Sequence, residues 1–228
     1  IILPDDYMKA VAKAVHANGG MFVLDCIASG TIWVDMKHIG VDILISAPQK
    51  GWSASPCGGL VMFNETARAA IDATQSSSFA IDLKKWLSIM EAYENGGHAY
   101  HATLPTDAIV KFHAAMKETE TFGFAKVKEA QQELGNKVRA LLGQKQYRSV
   151  AAAGFEAPGV VVYHTEDADI HSGKKFAALG MQIAAGVPLQ CDEPADYKTF
   201  RMGLFGLDKL KNIDRTVANL DKVLTEIL

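Results

Sequence analysis

Two short apolar stretches, separated by a connection long enough for a helix, most constrain how this chain can fold. The first, Met21-Phe22-Val23-Leu24, ends at Asp25, and the second, residues 42–46, runs on into Gln49 and Lys50. A strand, a helix-sized connection and a second strand are typical of a parallel sheet. The near-continuous apolar character of both stretches indicates strands that are buried on both faces. We therefore predict an α/β fold with a mainly parallel sheet.

The polar residues that follow these strands indicate the chemistry of a site. In an open α/β sheet, ligands bind beyond the carboxyl ends of the strands. That geometry brings the carboxylate of Asp25 and the amine of Lys50 into one crevice. Pyridoxal phosphate needs a lysine that forms a Schiff base and an acid that pairs with the pyridinium nitrogen. The sequence therefore predicts a pyridoxal phosphate site, and small residues such as Gly51 would let the backbone approach it.

The composition argues against several other classes of protein. Of the 228 residues, 49% are hydrophobic and 21% are charged, as in an ordinary soluble globular protein. The net charge is −3 and no basic stripe is present, so nucleic acid is not expected as a partner. No apolar run reaches the roughly 18 residues of a membrane span. We therefore expect neither nucleic acid nor a membrane as a partner.

The cysteines and the first residues give two further expectations. Three widely spaced cysteines, Cys26, Cys57 and Cys191, argue against a disulfide framework or a zinc site and favour a cytoplasmic location. No signal-like segment is present. The sequence opens on Ile1 in what reads as the end of a strand or turn, so we expect the natural chain to begin earlier.

Helical periodicity fills the middle of the chain, and a second α/β region follows it. The pattern predicts helices over residues 5–18, 65–73, 83–95, 105–120 and 124–142. Beyond residue 148 it predicts strands over 159–163 and 199–204, a helix over 173–185 and an amphipathic helix over 209–228. We predict two domains, residues 1–123 and residues 124–228, the second made of a connecting helix and a small α/β unit.

Four stretches of the sequence form a specific combination. They are Val23-Leu24-Asp25-Cys26-Ile27-Ala28-Ser29-Gly30, Ser46-Ala47-Pro48-Gln49-Lys50, Tyr100-His101-Ala102-Thr103-Leu104-Pro105 and Phe200-Arg201-Met202-Gly203-Leu204. In order and spacing they resemble the class V aminotransferases of fold type I, closest to the alanine–glyoxylate and serine–pyruvate group. The resemblance implies that residues 1–123 are the C-terminal part of the large cofactor-binding domain, downstream of the phosphate-binding loop. It also implies transfer of an amino group from a small amino acid, of alanine or serine type, to a 2-oxo acid such as glyoxylate or pyruvate.

The resemblance assigns the cofactor-binding roles residue by residue. Lys50 would form the Schiff base with pyridoxal 5'-phosphate and then act as the general base. Asp25 would pair with the pyridinium nitrogen, and Ile27 would pack against one face of the ring. Gln49 would hydrogen-bond near the cofactor phosphate.

The resemblance also implies a homodimer with shared active sites. Tyr100 and Thr103 would reach the phosphate of the cofactor in the partner subunit. Arg201 would hold the substrate carboxylate, a role that suits the bidentate geometry of a guanidinium group. The histidines His98 and His101 lack acidic or cysteine companions at ligand spacing, so no metal is predicted.

Two alternatives remain open from the sequence. A cysteine desulfurase or a related lyase of class V is one, although those enzymes typically place histidine before the lysine, where this chain has Gln49. Cys191, in a loop, is weak evidence for a nucleophilic cysteine. The other alternative is a truncated fragment that is inactive on its own, because the family's phosphate-binding segment lies upstream of the strand that ends in Asp25.

Overall fold

The computed structural model describes residues 1–227, and residue 228, the end of the last predicted helix and domain, lies outside the described residues. The helices are α1 (Asp5–Ala17), α2 (Met36–Ile39), α3 (Glu65–Ala73), α4 (Leu83–Glu94), α5 (Thr106–Phe122), α6 (Phe124–Gln144), α7 (Ala168–His171), α8 (Lys174–Ala178), α9 (Leu207–Lys211) and α10 (Ile213–Ile227). The strands are β1 (Val23–Asp25), β2 (Ile43–Ser46), β3 (Leu60–Phe63), β4 (Val160–His164), β5 (Ala184–Ala185) and β6 (Thr199–Gly203). None of these helices combines the length and the apolar character needed to cross a membrane.

The first sheet contains β1, β2 and β3 in that order. β1 and β2 are joined through α2 and pair in parallel, as predicted, with Asp25 beside Ile45. β3 runs antiparallel to β2 and places Leu60 beside Ser46. The connection from β2 to β3 contains no helix, and a loop is sufficient to join antiparallel strands. The predicted parallel pairing is therefore found for β1 and β2, whereas β3 reverses direction.

Helices α1 and α2 cover one face of the first sheet. Met8 from α1 and Ile39 from α2 pack against Leu24 and Leu44 in a small buried cluster. On the other face, Val23 keeps 50% of its surface exposed. The described part of the first sheet thus has a core on one side only.

A buried carboxylate ties the ends of the first sheet together. Asp42 is only 3% exposed. Its Oδ2 accepts hydrogen bonds from Nε2 of His16 and from the backbone N–H of Phe22, each at 2.7 Å, and its Oδ1 accepts one from Nδ2 of Asn64 at 2.8 Å. Burial alone raises the pKa of Asp42, but these hydrogen bonds outweigh it and hold the pKa below its ordinary value. Asp42 therefore stays ionised and links α1, β1 and β3.

The C-terminal unit is built around a second, antiparallel sheet with the order β4-β6-β5. α6 and α10 pack against it and complete a large core. Its fully buried members include Leu134 and Leu142 of α6, Phe176 of α8, Phe200 of β6 and Leu224 of α10. α6 begins at Phe124, next to the predicted boundary between residues 123 and 124, and its buried side chains belong to this core. The division into two domains stays a prediction.

The helix predicted over 173–185 is wrong in length. α8 ends at Ala178, where Gly180 takes a positive φ of 76° and the backbone N–H of Met181 donates to the carbonyl of Phe176 at 2.9 Å. A left-handed glycine of this kind ends a helix. Residues 184–185 then pair with β6 as a short strand.

The amphipathic helix predicted over 209–228 is divided into α9 and α10. The break falls at Asn212, whose side chain donates to the carbonyl of Asp208 at 2.8 Å. The backbone carbonyl of Asn212 accepts from the N–H of Thr216 in the first turn of α10. Asn212 thus ends one helix and begins the next, a position that suits asparagine.

The side chain of Gln131 joins the two regions of the molecule. This residue of α6 is fully buried, and its Nε2 donates to the carbonyl oxygens of Pro158, at 3.0 Å, and of Leu204, at 3.4 Å. Its Oε1 accepts from Oγ1 of Thr31, which follows β1, at 3.5 Å. The loop after β1 is therefore anchored directly to the C-terminal unit.

Candidate active site

Asp25 lies at the carboxyl end of β1, where its side chain is fixed by the turn that follows. Its Oδ1 accepts a hydrogen bond from the backbone N–H of Ile27 at 2.9 Å. This short-range bond is the usual way in which aspartate stabilises a turn. Asp25 is exposed and Ile27 is half-buried, so both are available at the strand end.

Lys50 lies in a tight loop after β2, at the same edge of the sheet. The carbonyl oxygen of Lys50 accepts from the N–H of Ser53 at 2.9 Å, and that of Pro48 accepts from the N–H of Ala54 at 3.1 Å. Lys50 is half-buried and Gln49 is exposed. The loop therefore presents both side chains from a fixed backbone.

The two loops are in direct backbone contact. A side chain at Gly51 would overlap the carbonyl group of Gly30, so glycine is required there for close approach. Gly51 follows Lys50, and Gly30 lies in the loop that follows Asp25. This contact brings the loops with Asp25, Ile27, Gln49 and Lys50 together, as the position of the strand ends predicted.

Neither Asp25 nor Lys50 forms a salt bridge with any residue in the described range 1–227. Two opposite charges therefore lie on adjacent loops without a salt-bridge partner among residues 1–227. An acid for a ring nitrogen and an amine for a carbonyl group are the donor set that pyridoxal phosphate needs. The residues present therefore fit this cofactor.

Arg201 lies on β6 of the C-terminal unit, and the segment that follows β6 approaches the Lys50 loop. Its Nε donates to the carbonyl of Ala185 at 2.8 Å, which anchors the side chain and leaves the two terminal nitrogens without a salt bridge to a described residue. After β6 the chain continues to Phe205 and Gly206. A Cβ atom on Gly206 would lie 3.2 Å from Oγ of Ser53, so this segment lies against the Lys50 loop.

The structure does not bring Tyr100 and Thr103 to the other site residues through any described contact. Both are exposed in the loop after α4, with Oη of Tyr100 3.2 Å from Oγ1 of Thr103. Their neighbour His101 bonds to the carbonyl of Phe79 at 2.9 Å and its ring lies 5.0 Å from that of Trp86. The role implied for this pair in a partner subunit stays a prediction.

An aromatic cluster beside the Lys50 loop was missed from the sequence. The ring centroid of Trp52 lies 5.1 Å from that of Trp33 and 5.8 Å from that of Phe112, and Nε1 of Trp33 donates to the carbonyl of Phe124 at 2.9 Å. These residues line or adjoin an apolar cavity of about 350 Å³. The only local signal was a tryptophan close after Lys50, because the other rings come from distant parts of the sequence.

No group of three or more histidine, cysteine, aspartate or glutamate side chains in residues 1–227 is arranged to hold a metal ion.

Comparison with known proteins identifies the family. The sequence model described as Aminotransferase class-V matches residues 6–198. A 2-aminoethylphosphonate–pyruvate transaminase of Pseudomonas putida (strain GB-1) is 24% identical over 96% of this chain and 58% of its own length. Alanine–glyoxylate aminotransferase 1 of Saccharomyces cerevisiae is 29% identical over 79% of this chain and 49% of its own length.

A solved structure agrees with the sequence comparisons. The alanine–glyoxylate aminotransferase of Nostoc sp. superposes with a TM-score of 0.77 at 17% identity, over 95% of this chain and 57% of that protein. The chain thus spans between about half and three fifths of the length of these relatives. The likeness confirms the predicted fold type I architecture, and class V aminotransferases depend on pyridoxal phosphate. The family predicted from the four sequence stretches is confirmed: this chain belongs to the class V aminotransferases.

Proposed function

We propose that this chain contributes the lysine, the acid and the arginine of a pyridoxal phosphate-dependent aminotransferase. The observation that carries the proposal is the backbone contact between Gly30 and Gly51, because it brings the loops of Asp25 and Lys50 together at the carboxyl ends of two parallel strands. Family membership supports the reaction class. The activity is a proposal because the chain spans only part of the length of its relatives.

Each residue at the strand ends has a role in this proposal. Pyridoxal phosphate, when bound, supplies an electron sink for the substrate Cα. The Asp25 carboxylate, oriented by the N–H of Ile27, would accept a hydrogen bond from the protonated ring nitrogen. The Lys50 amine would hold the cofactor and would serve as the base for the proton at the substrate Cα. Ile27 would pack against the ring, and Gln49 would hydrogen-bond near the phosphate.

Arg201 holds the substrate by its acidic group. Its terminal nitrogens form no salt bridge with a described residue, and a guanidinium fork binds a carboxylate through two parallel hydrogen bonds. Alanine or serine as donor and glyoxylate or pyruvate as acceptor follow from the resemblance and from the names of the yeast and Pseudomonas relatives. The same fork suits a phosphonate, so 2-aminoethylphosphonate belongs in any panel of donors.

A homodimer with shared sites completes the proposal. Large apolar side chains lie exposed along residues 79–110, including Phe79 and Ile81, and Tyr100 with Thr103 lies within the same stretch. Exposed apolar side chains in this number support a protein–protein contact. We place the hydroxyls of Tyr100 and Thr103 at the cofactor phosphate of the partner subunit, and the protein in the cytoplasm.

The test is covalent trapping of the cofactor. The chain is incubated with pyridoxal phosphate, reduced with borohydride and mapped by mass spectrometry. We expect a visible absorption band and a label on Lys50 that Lys50→Arg removes and the surface control Lys37→Arg retains. No label on Lys50, or a label spread evenly over the exposed lysines, would contradict the proposal. Formation of alanine and sulfane sulfur from cysteine, in place of glycine formation from glyoxylate, would favour the desulfurase alternative.

A further inference from the structure

Phe205 lies where the strand that carries Arg201 meets the loop after β1. Its ring is half-buried, just beyond the end of β6. A Cβ atom on Gly30 would lie 2.8 Å from Cε1 of this ring, and one on Gly159 would lie 2.9 Å from the same atom. Real Cβ atoms essentially never approach another heavy atom this closely, so a side chain at either glycine would clash with the ring. The ring therefore fills a space that two glycines from different parts of the chain leave free.

One line of contacts leads from this ring to Lys50 through the backbone. Gly30 also has a second close neighbour, because its carbonyl group packs against Gly51. Gly51 is bonded to Lys50. Both contacts are too close for a Cβ atom, so only the backbone of Gly30 and Gly51 stands between the ring and Lys50.

A second line of contacts runs beside the first. Gly206 lies against the side chain of Ser53, and the backbone N–H of Ser53 donates to the carbonyl oxygen of Lys50 at 2.9 Å. On the other side, Nζ of Lys209 donates to the carbonyl of Phe205 at 2.8 Å and anchors the segment to α9. The backbone on both sides of the ring is thus fixed.

We propose that Phe205 is a positioning residue that sets the spacing between the Lys50 amine and the Arg201 guanidinium. The inference rests on the proposed function, in which these two groups act on the Cα and on the carboxylate of one small substrate. Their separation depends on how the Arg201 strand is seated on the Lys50 loop. A rigid ring holds that seating, whereas a smaller side chain leaves a void into which the loop can shift. A misplacement on the order of 1 Å can lower a catalytic rate by about 100-fold.

Ordinary core packing gives a different expectation. If Phe205 only filled space, its replacement would lower stability like that of any buried ring and would leave the lysine loop unchanged. The matched control is Phe176, which is fully buried in the C-terminal core, with its ring centroid 5.9 Å from that of Phe200. Phe205→Leu and Phe176→Leu remove the same atoms at the two positions.

The first measurement needs no cofactor. Amide hydrogen exchange of the chain reports the hydrogen bonds from Ser53 and Ala54 that close the Lys50 loop. We expect about tenfold faster exchange at these two amides in Phe205→Leu, because the loop opens more often once its support is removed. In Phe176→Leu the same amides should exchange within about twofold of the original rate.

The second measurement follows amino transfer from alanine to glyoxylate and the label on Lys50. We expect kcat to fall about 10- to 100-fold in Phe205→Leu with a smaller change in KM. Phe205→Tyr, which keeps the ring, should restore both the exchange rates and kcat. Phe176→Leu should lower the melting temperature while kcat stays near its original value.

The outcomes separate the two proposals. If the unchanged chain carries no label at Lys50, both the proposed function and this inference are overturned. If Lys50 is labelled but Phe205→Leu behaves like Phe176→Leu in exchange and in kcat, only the positioning role is overturned. Faster exchange at Ser53 and Ala54 together with rescue by Phe205→Tyr supports the positioning role. If Phe205→Leu is too unstable for kinetics, Phe205→Met replaces it as a variant without the ring and with a side chain about the size of leucine.

Discussion

The first sheet and the C-terminal unit differ in how their strands are covered. In the C-terminal unit, helices from both ends of the unit close a core around Phe176, Phe200 and Leu224. The first sheet has a small cluster on one face, and Val23 on the other face is half exposed. The residues proposed for the site come from both: Asp25 and Lys50 from the open sheet, and Arg201 from the closed unit.

The difference shows what each region contributes. A closed core resists deformation, so the C-terminal unit is the rigid support of the site. The first sheet is held instead by polar links, namely the Asp42 network and the bond from Thr31 to Gln131. The loops after β1 and β2 are thus held by polar links and close backbone contacts, whereas β6 is held by a closed apolar core.

Replacing one buried leucine by alanine in each region should give the largest loss of stability and tests the comparison directly. Leu134→Ala removes a fully buried side chain from the C-terminal core and should lower the free energy of unfolding by about 3–5 kcal/mol. Leu44→Ala should cost about 2–3 kcal/mol, because Leu44 already borders the cavity of about 350 Å³ and loses fewer contacts. Urea unfolding followed by circular dichroism measures both. Equal losses of unfolding free energy in the two variants would contradict the difference between the two regions.

A change at Asp42 should have the next largest effect and would show that the first sheet depends on polar links. Asp42→Asn removes the charge that accepts three hydrogen bonds and should cost about 2 kcal/mol of stability at neutral pH. The pKa of Asp42 is lowered by folding, so its contribution is present above the ordinary aspartate pKa of about 3.9 and is lost as pH falls through the lower folded value. The stability gap between the two proteins should therefore close in acid.

The control for this experiment is Asp35→Asn. Asp35 caps α2 by accepting from the N–H of His38 at 2.9 Å, and asparagine caps a helix about as well. Its stability should change by only about a few tenths of a kcal/mol. A gap between Asp42→Asn and the original protein that persists unchanged below pH 3 would rule out the charge as its cause.

Matched valine-to-threonine changes should have the smallest effect and sharpen the contrast between strands. Val161→Thr places a hydroxyl in the closed core, where Val161 is 1% exposed, and should cost about 1–2 kcal/mol. Val23→Thr on the open face should change stability by less than about 0.5 kcal/mol. Thermal unfolding by calorimetry compares them. A loss of more than about 1 kcal/mol at Val23 would mean that this face is covered in solution.

Local patterns made much of the fold predictable. The helix predicted over residues 65–73 has the observed bounds of α3, and β1 and β2 lie within the predicted strands. The prediction over 173–185 was wrong because a helical apolar spacing continued past Gly180, whose left-handed backbone ends α8. Periodicity does not report such a break unless the glycine is given more weight than the spacing.

The site was predictable to the extent that strand geometry determines it. Parallel strands end at one edge of a sheet, so the loops after β1 and β2 were expected to meet, and Gly30 and Gly51 are in contact there. The roles of Asp25 and Lys50 stay predictions. The contacts of Gly30, Gly51 and Phe205 were not predicted, because they join residues far apart in sequence and follow no spacing. Asp42 has the same property, since its partner His16 lies 26 residues away.

The buried amide of Gln131 has a consequence for how α6 is seated on the loops. Its Nε2 reaches the carbonyls of Pro158 and Leu204 in one orientation of the helix. Turning α6 by one residue rotates the amide by about 100° and leaves it buried without acceptors, at a cost of about 1–3 kcal/mol. An apolar residue would tolerate several neighbouring orientations with similar energy. Gln131 thus favours one rotational orientation of α6 over neighbouring orientations that would bury a similar apolar surface.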